Sequence, residues 1–301
     1  MNADIDRQAF GAGEPLAGNA GVAQRSTAHS IIIRDLRFGR EADVRRWWLN
    51  GDPVATAWHN ALSATFPRGE ALFIEAVKAF RESAPPRLAA QIRAFIRQEI
   101  NHTREHVAFN RAAEVAGYDL TEIDARVKRL IDDVYAQKPI AWLAITMALE
   151  HFTAMFASEF LANPAHFHGG DEEQADLWRW HAVEEIEHKA VAYDTWLHAT
   201  RDWSRWKRWK IKSLLMLLVT QRFIRHRSGD ALDLLAQDGI TGPRARGRLA
   251  WYLVGSPGIF RRILPQWCAY FLPGFHPWQR DDRDLIRRYD EGRPTGALPA
   301  A

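Results

Sequence analysis

Apolar positions recur at helical spacing along most of this 301-residue chain. In ATFPRGEALFIEAVKAF, Phe73, Ile74, Val77 and Phe80 share one face, and Pro67 stands at the opening, where its missing N–H costs least. Arg87 to Ala116 forms the next long helical pattern. Pro85-Pro86 precedes it and Gly117 ends it as a C-cap would. Thr121 to Val134 reads as a short solvated helix of mixed charge. Ala141 to Leu161 is apolar almost all round, and such a helix is normally central. Trp178 to Asp194 contains no helix breaker and reads as one uninterrupted helix. Upstream, a helical pattern sets in at Asp43 and carries Trp47, Trp48, Trp58 and Leu62. Ser30 to Arg37 alternates weakly, as a short strand or an extended arm would. Residues 1–28 are rich in Gly and Ala, hold no apolar run, and read as a disordered tail. From Trp251 to Trp278, four prolines break helices that cap the bundle or the substrate entrance. The fold expected is mainly α. A helical bundle spans 29–230 and a C-terminal helical extension, 231–301, packs on it.

Four of these helices carry chemistry that a solvated or apolar face does not need. On Trp178–Asp194, His181, Glu185 and His188 stand at i, i+4 and i+7, which at about 3.6 residues per turn puts them on one face. On Arg87–Ala116, Glu99, His102 and His106 repeat the motif with the order changed: Glu-x2-His-x3-His against His-x3-Glu-x2-His. A lone Glu-x-x-His is common on a solvated face. Two copies on separate helices, each with a further His in phase, are what dinuclear metal bundles use. Glu150 sits in the middle of the apolar helix. It either faces outward, forms a buried ion pair, or supplies a single carboxylate to the same site. Upstream, Glu70 and Glu75 compete for the other single-Glu position; Glu70 lies closer to the Phe73/Ile74/Val77 stripe, where a carboxylate is costly to bury unless it is paired or bound to a cation. Glu184 and Glu105 suit the role of orienting an imidazole from behind. His106 suits either role.

The order Glu, Glu-x-x-His, Glu, His-x3-Glu-x2-His over successive helices is the ferritin-like di-iron carboxylate pattern. Through FPRGE (66–70), QEINHTREH (98–106), LEHFTA (149–154), WHAVEEIEHKAVAYD (180–194) and PGFHPW (273–278), the chain resembles the predicted metal-dependent hydrolases. In spacing it is also similar to the di-iron arylamine N-oxygenases, whose last ligand helix has a third His placed as His181 is. The resemblance implies a ferritin-like bundle with Glu70, Glu99, His102, Glu150, His181, Glu185 and His188 as ligands of two iron ions, with manganese as the alternative. The activity expected is oxygen activation on a small apolar substrate, with an electron-donor protein as partner. Phe73, Phe95, Phe109, Phe152 and Phe156 are expected to line the substrate site. Two other readings stand beside it. One is hydrolysis by a dinuclear site that activates water. The other is a non-enzymatic, membrane- or nucleic-acid-associated helical protein.

Composition narrows the picture little further. A net charge of +3 gives no argument for nucleic acid as a partner, and the single cysteine, Cys268, excludes an internal disulfide framework. There is no phosphate-cradling Gly loop, nucleophile elbow or zinc-finger spacing. Around Trp203, Trp206 and Trp209, Arg and Lys alternate with aromatics ahead of the apolar run Leu214 to Val219, which is too short to span a bilayer. Residues 203–227 therefore suit either packing on the bundle or peripheral contact with an anionic membrane. With no secretory signal and no segment read as spanning, the location expected is the cytoplasm, with at most such contact at the inner face.

Overall fold

The computed structural model describes residues 30–38 and 45–292; the tail expected over 1–28 lies outside them. Every regular element among the described residues is helical, apart from one isolated bridge between Leu49 and Gly170. The chain runs α1 (Pro53–Ser63), α2 (Phe66–Lys78), α3 (Pro86–Val115), α4 (Thr121–Tyr135), α5 (Pro139–Ala162), α6 (Glu172–His188), α7 (Val191–Ala199), α8 (Arg205–Gln237), α9 (Gly242–Ala250), α10 (Ile259–Ala269) and α11 (Arg283–Glu291).

Four of these close a ring: α2 packs on α3, α3 on α6, α6 on α5, and α5 back on α2. This is the central four-helix bundle of the mainly α fold expected. α5 also meets α4, α7, α8, α10 and α11, which is why it needs apolar side chains on every face. It alone among the described helices is long and apolar enough to cross a membrane, but two-thirds of that stretch is buried against its neighbours. α1 lies between α3 and α8. Trp58 and Trp180 are fully buried.

Local chemistry accounts for most boundaries. Proline stands in the first turn of α1, α2, α3 and α5. At the end of α3, Tyr118 N–H donates to Ala113 O (3.1 Å) and Gly117 N–H to Glu114 O (2.9 Å), with Gly117 at φ +95°. That is the Schellman arrangement, and it needs the left-handed residue. Gly169, at φ +69°, is required twice over, because a Cβ there would also strike the side chain of Asn50.

Two expected elements differ. The helix expected from Asp43 begins only at Pro53. Asn50 and Gly51 both adopt positive φ, and Asp52 caps the helix by accepting from Val54 N–H. Trp48, buried all the same, lies in the turn before it, its Nε1–H bonded to Asn60 Oδ1 at 3.0 Å. The uninterrupted helix expected over Trp178–Asp194 breaks at Lys189-Ala190, between α6 and α7. No proline or glycine causes this. Lys189 is buried, its Nζ donating to Arg280 O (2.8 Å) and Asp282 Oδ2 (2.7 Å) over the Trp278 ring.

Ile31–Phe38 is an extended arm and forms no strand. Its N–H groups point at carboxylates on the backs of two bundle helices. Ile32 donates to Glu187 Oε2 (2.9 Å), Arg34 to Glu184 Oε1 (2.9 Å), and Phe38 to Glu105 Oε2 (3.0 Å). The arm thus ties α6 to α3 along the outside of the bundle.

Candidate metal centre

Inside the ring, α2 contributes Glu70, α3 Glu99 and His102, α5 Glu150, and α6 His181, Glu185 and His188. All seven are buried, none more than 4% exposed. Their donor atoms fall into overlapping groups in which all atoms lie within 4.8 Å of one another: Glu99, Glu150, Glu185 and His188; Glu70, Glu99 and His102; His102, His181 and Glu185. A fourth such group is Glu70, His106 and His181, so that Glu70, Glu99, His102, His181 and Glu185 each belong to two groups and the donor set is continuous through the bundle. Of the two carboxylates competing on α2, Glu70 points into this cluster, whereas Glu75 pairs with Lys78 at the surface (3.1 Å).

The hydrogen bonds behind the cluster fix which way each imidazole faces. Gln98 Nε2 donates to Ile32 O (2.9 Å) and Glu187 Oε2 (2.9 Å), so Gln98 Oε1 is left to accept from His188 Nδ1–H (2.9 Å). The other nitrogen of His188, Nε2, is bare and stands 3.2 Å from Glu99 Oε1, 3.4 Å from Glu185 Oε1 and 3.5 Å from Glu150 Oε2. Glu184 Oε2 accepts from His102 Nε2–H (3.0 Å), leaving His102 Nδ1 bare and 3.7 Å from both Glu99 Oε1 and Glu185 Oε1. The third imidazole is set by a longer chain. Asn110 Nδ2 donates to Ser63 O (3.2 Å), so Asn110 Oδ1 accepts from Ser63 Oγ–H (2.7 Å). Ser63 Oγ then accepts from His106 Nδ1–H (2.8 Å), and His106 Nε2 from His181 Nδ1–H (2.6 Å). His181 Nε2 is therefore bare as well, 2.9 Å from Glu185 Oε1.

With the three imidazoles neutral, as cation binding requires, their inward lone pairs face carboxylates across the centre of the bundle. Both oxygens of Glu99 and of Glu150, one oxygen each of Glu70 and Glu185, His102 Nδ1 and His188 Nε2 lack any hydrogen-bond partner. Buried polar atoms are ordinarily paired, so this many orphans aimed at one volume mark the place of a cation. The separations of 2.9–3.7 Å suit adjacent donors on one ion, since ligands at about 2.1 Å stand roughly 3.0–3.4 Å apart in octahedral or tetrahedral geometry. Four carboxylates with neutral imidazoles balance two divalent charges. The residues present fit the group.

Protonation follows from the same crowding. Burial raises the pKa of Glu70 and Glu150 well above the carboxylate range, helped by Glu99 beside the first and Glu185 beside the second; burial also raises Glu99. Burial works against charging His102 and His188, yet Glu184 and Glu99 hold the first well above its usual value and Glu185 raises the second. Burial would likewise raise Glu185, but His188 and His181 hold it well below the usual range. Burial and the neighbouring His102 bring His181 down to about 4, and burial with His181 lowers His106. Without metal, protons stand in for part of the missing positive charge.

A cavity of about 200 Å³ reaches this centre between α2, α4, α5 and α8, with His181 and Glu185 in its wall. Phe73, Phe152 and Phe156 line it as expected. Phe95 and Phe109 do not: Phe95 packs edge-on against His188, and Phe109 against Trp48. Gln98, Ser63 and Asn110 were not singled out by spacing. Gln98 lies one turn before His102 and in phase with it, a usable signal. Asn110, one turn after His106 on the same helix, offers the same signal; Ser63 offers none, because it meets them only through the packing of α1 on α3.

The family model of the predicted metal-dependent hydrolases matches residues 32–281. The chain belongs to that family. No curated protein and no solved structure matches it. The membership corrects the expectation of oxygen activation: the family is one of predicted hydrolases, the alternative reading of the same residues. Ligand type and spacing point to a metal site but not to its reaction, so the third His could not carry the choice.

Proposed function

We propose that the protein is a hydrolase whose Glu70, Glu99, His102, Glu150, His181, Glu185 and His188 hold two divalent cations that serve to activate water. The observation that carries this is the convergence of His102 Nδ1 and His188 Nε2, both without a hydrogen-bond partner, on four buried carboxylates, with His181 Nε2 against Glu185 Oε1 at 2.9 Å. Iron or manganese suits the donors, which include no thiolate; Cys268 is exposed on α10. Bound there, such a pair supplies Lewis acidity and a water acidified to near neutral pH. The rest is done by the chain. Ser63 and His106 hold His181 in the tautomer that presents Nε2 inward, and Glu184 and Gln98 do the same for His102 and His188. The apolar walls of the cavity exclude bulk water and seat an apolar portion of the substrate, so that its scissile group meets the centre beside His181 and Glu185.

The test is reconstitution. Chelator-stripped protein, loaded anaerobically with ferrous iron or with manganese or zinc, is assayed on 4-nitrophenyl carboxylic esters and on phosphodiesters. About two metals per chain are expected, with turnover that needs them and disappears in Glu99→Gln. Equal turnover by the stripped protein would overturn the proposal.

A further inference from the structure

The wall of the cavity formed by α8 is also an outer surface. Leu218 and Arg222 both line the cavity and are exposed, so the mouth opens on this helix. Next to the mouth α8 leaves large apolar side chains in solvent: Trp206 is 66% exposed, Leu214 55%, Leu217 49% and Ile224 40%. At 100° per residue, these four fall with Leu218 and Arg222 within an arc of about 160° over five turns. Lys207, Lys210 and Arg225, all exposed, lie inside the same arc. From Trp203 to Gly229 there is no Asp or Glu. Among the described residues, Lys210, Arg222 and Arg225 have no ion-pair partner, whereas Arg126 on the neighbouring α4 pairs with Asp233 (2.9 Å).

An exposed apolar stripe with unneutralised cations along it, and an apolar cavity opening between them, complements one kind of surface: an anionic bilayer, whose headgroups meet Lys and Arg and whose acyl region meets Leu and Trp. We infer that α8 docks this protein on an anionic lipid surface with the cavity mouth turned toward it, so that a substrate bearing an acyl or alkyl chain enters from the bilayer. The substrate clause rests on the hydrolase reading; the docking does not.

Co-sedimentation of the full chain with phosphatidylcholine vesicles, with and without phosphatidylglycerol, tests the docking directly. Binding is expected only with phosphatidylglycerol and is expected to weaken as salt rises. Each surface cation contributes about 1 kcal/mol, or roughly 5-fold, so Lys210→Glu with Arg225→Glu is expected to weaken partitioning by roughly 25-fold or more. Neither residue lines the cavity, and circular dichroism of the variant guards against misfolding. Leu214→Ser with Leu217→Ser is expected to lose binding as well. Binding to neutral vesicles alone, no binding, or binding indifferent to the charge reversal would overturn the inference. So would a dimer that dissolves in the Leu214/Leu217 variant, which gives the face to a second copy, or equal retention on duplex DNA. The substrate clause is read separately: loaded protein is expected to cleave 4-nitrophenyl octanoate faster than the acetate. Docking without turnover of either the carboxylic esters or the phosphodiesters would sink the hydrolase reading and leave the docking standing. Esterase activity without docking would do the reverse.

Discussion

Replacing Glu184 by glutamine changes one atom behind the metal centre and no volume. Glu184 is wholly buried and accepts from two donors, His102 Nε2–H at 3.0 Å and Arg34 N–H at 2.9 Å. A glutamine amide has one acceptor oxygen and one donor nitrogen, so it satisfies only one of these without change. The arm's backbone N–H cannot move its proton, but His102 can. The amide oxygen is therefore expected to keep Arg34 N–H, and the amide N–H₂ to face His102 Nε2. The imidazole then adopts the other tautomer, with a proton on Nδ1, the atom that stands bare 3.7 Å from Glu99 and Glu185. A protonated Nδ1 cannot bind a cation. Mutations behind metal ligands cost about 10–100-fold in affinity, or roughly 1.4–2.7 kcal/mol. A tautomer inversion lies toward the upper end, because metal must pay to reverse it as well as to bind. The assay is competition for manganese or zinc against a chromophoric chelator at pH 7, on Glu184→Gln and on Glu105→Gln. Glu105 holds the same arm through Phe38 N–H at 3.0 Å, and its variant is expected to bind metal as the wild type does. Wild-type affinity in Glu184→Gln, or an equal loss in both variants, would refute the reasoning that an oriented His102 nitrogen is part of the site.

Three further outcomes are expected. Above pH 6.5 the metal-free protein should lose stability as pH rises. The raised groups, Glu70, Glu150, His102 and His188, hold protons in the folded state that the unfolded chain has already released, so the native state binds more protons there; thermal melts at pH 6.5 and 8 with and without metal would check it, since metal displaces those protons and should flatten the trend. Arg34→Ala should destabilise the fold by about 3–5 kcal/mol in urea titration, because Arg34, 2% exposed, faces Glu187 Oε1 at 2.9 Å and its loss leaves that buried carboxylate without its countercharge, held only by Ile32 N–H and Gln98 Nε2. Ala157→Phe, at a buried position lining the cavity, should abolish turnover of long-chain esters while sparing short ones, at an over-packing cost of about 1–3 kcal/mol in melting experiments.

Helical period was legible from sequence alone because burial imposes it locally. It assigned α3, α5 and α6, put Glu99 with His102 and His181 with Glu185 and His188 on single faces, and singled out Glu150 as a carboxylate in an apolar run. Those are relations within one helix, set by residue spacing. It could not decide between Glu70 and Glu75, five residues apart, until α2 was docked against α3 and α5. Nor could it show that His106 reaches His181 Nδ1, since that contact spans α3 and α6 and depends on Ser63 at the end of α1. The break after His188 has no local cause in Lys189-Ala190; it comes with a tether to Asp282, more than ninety residues on. The arm at Ile31–Phe38 read as strand or extended chain because its alternation is real, but its partners are carboxylate side chains on α3 and α6, which only the assembled bundle presents. Spacing along a helix determines which residues share a face. What that face meets, and so which nitrogen of each imidazole is free to bind a cation, is decided by contacts between segments far apart in the chain.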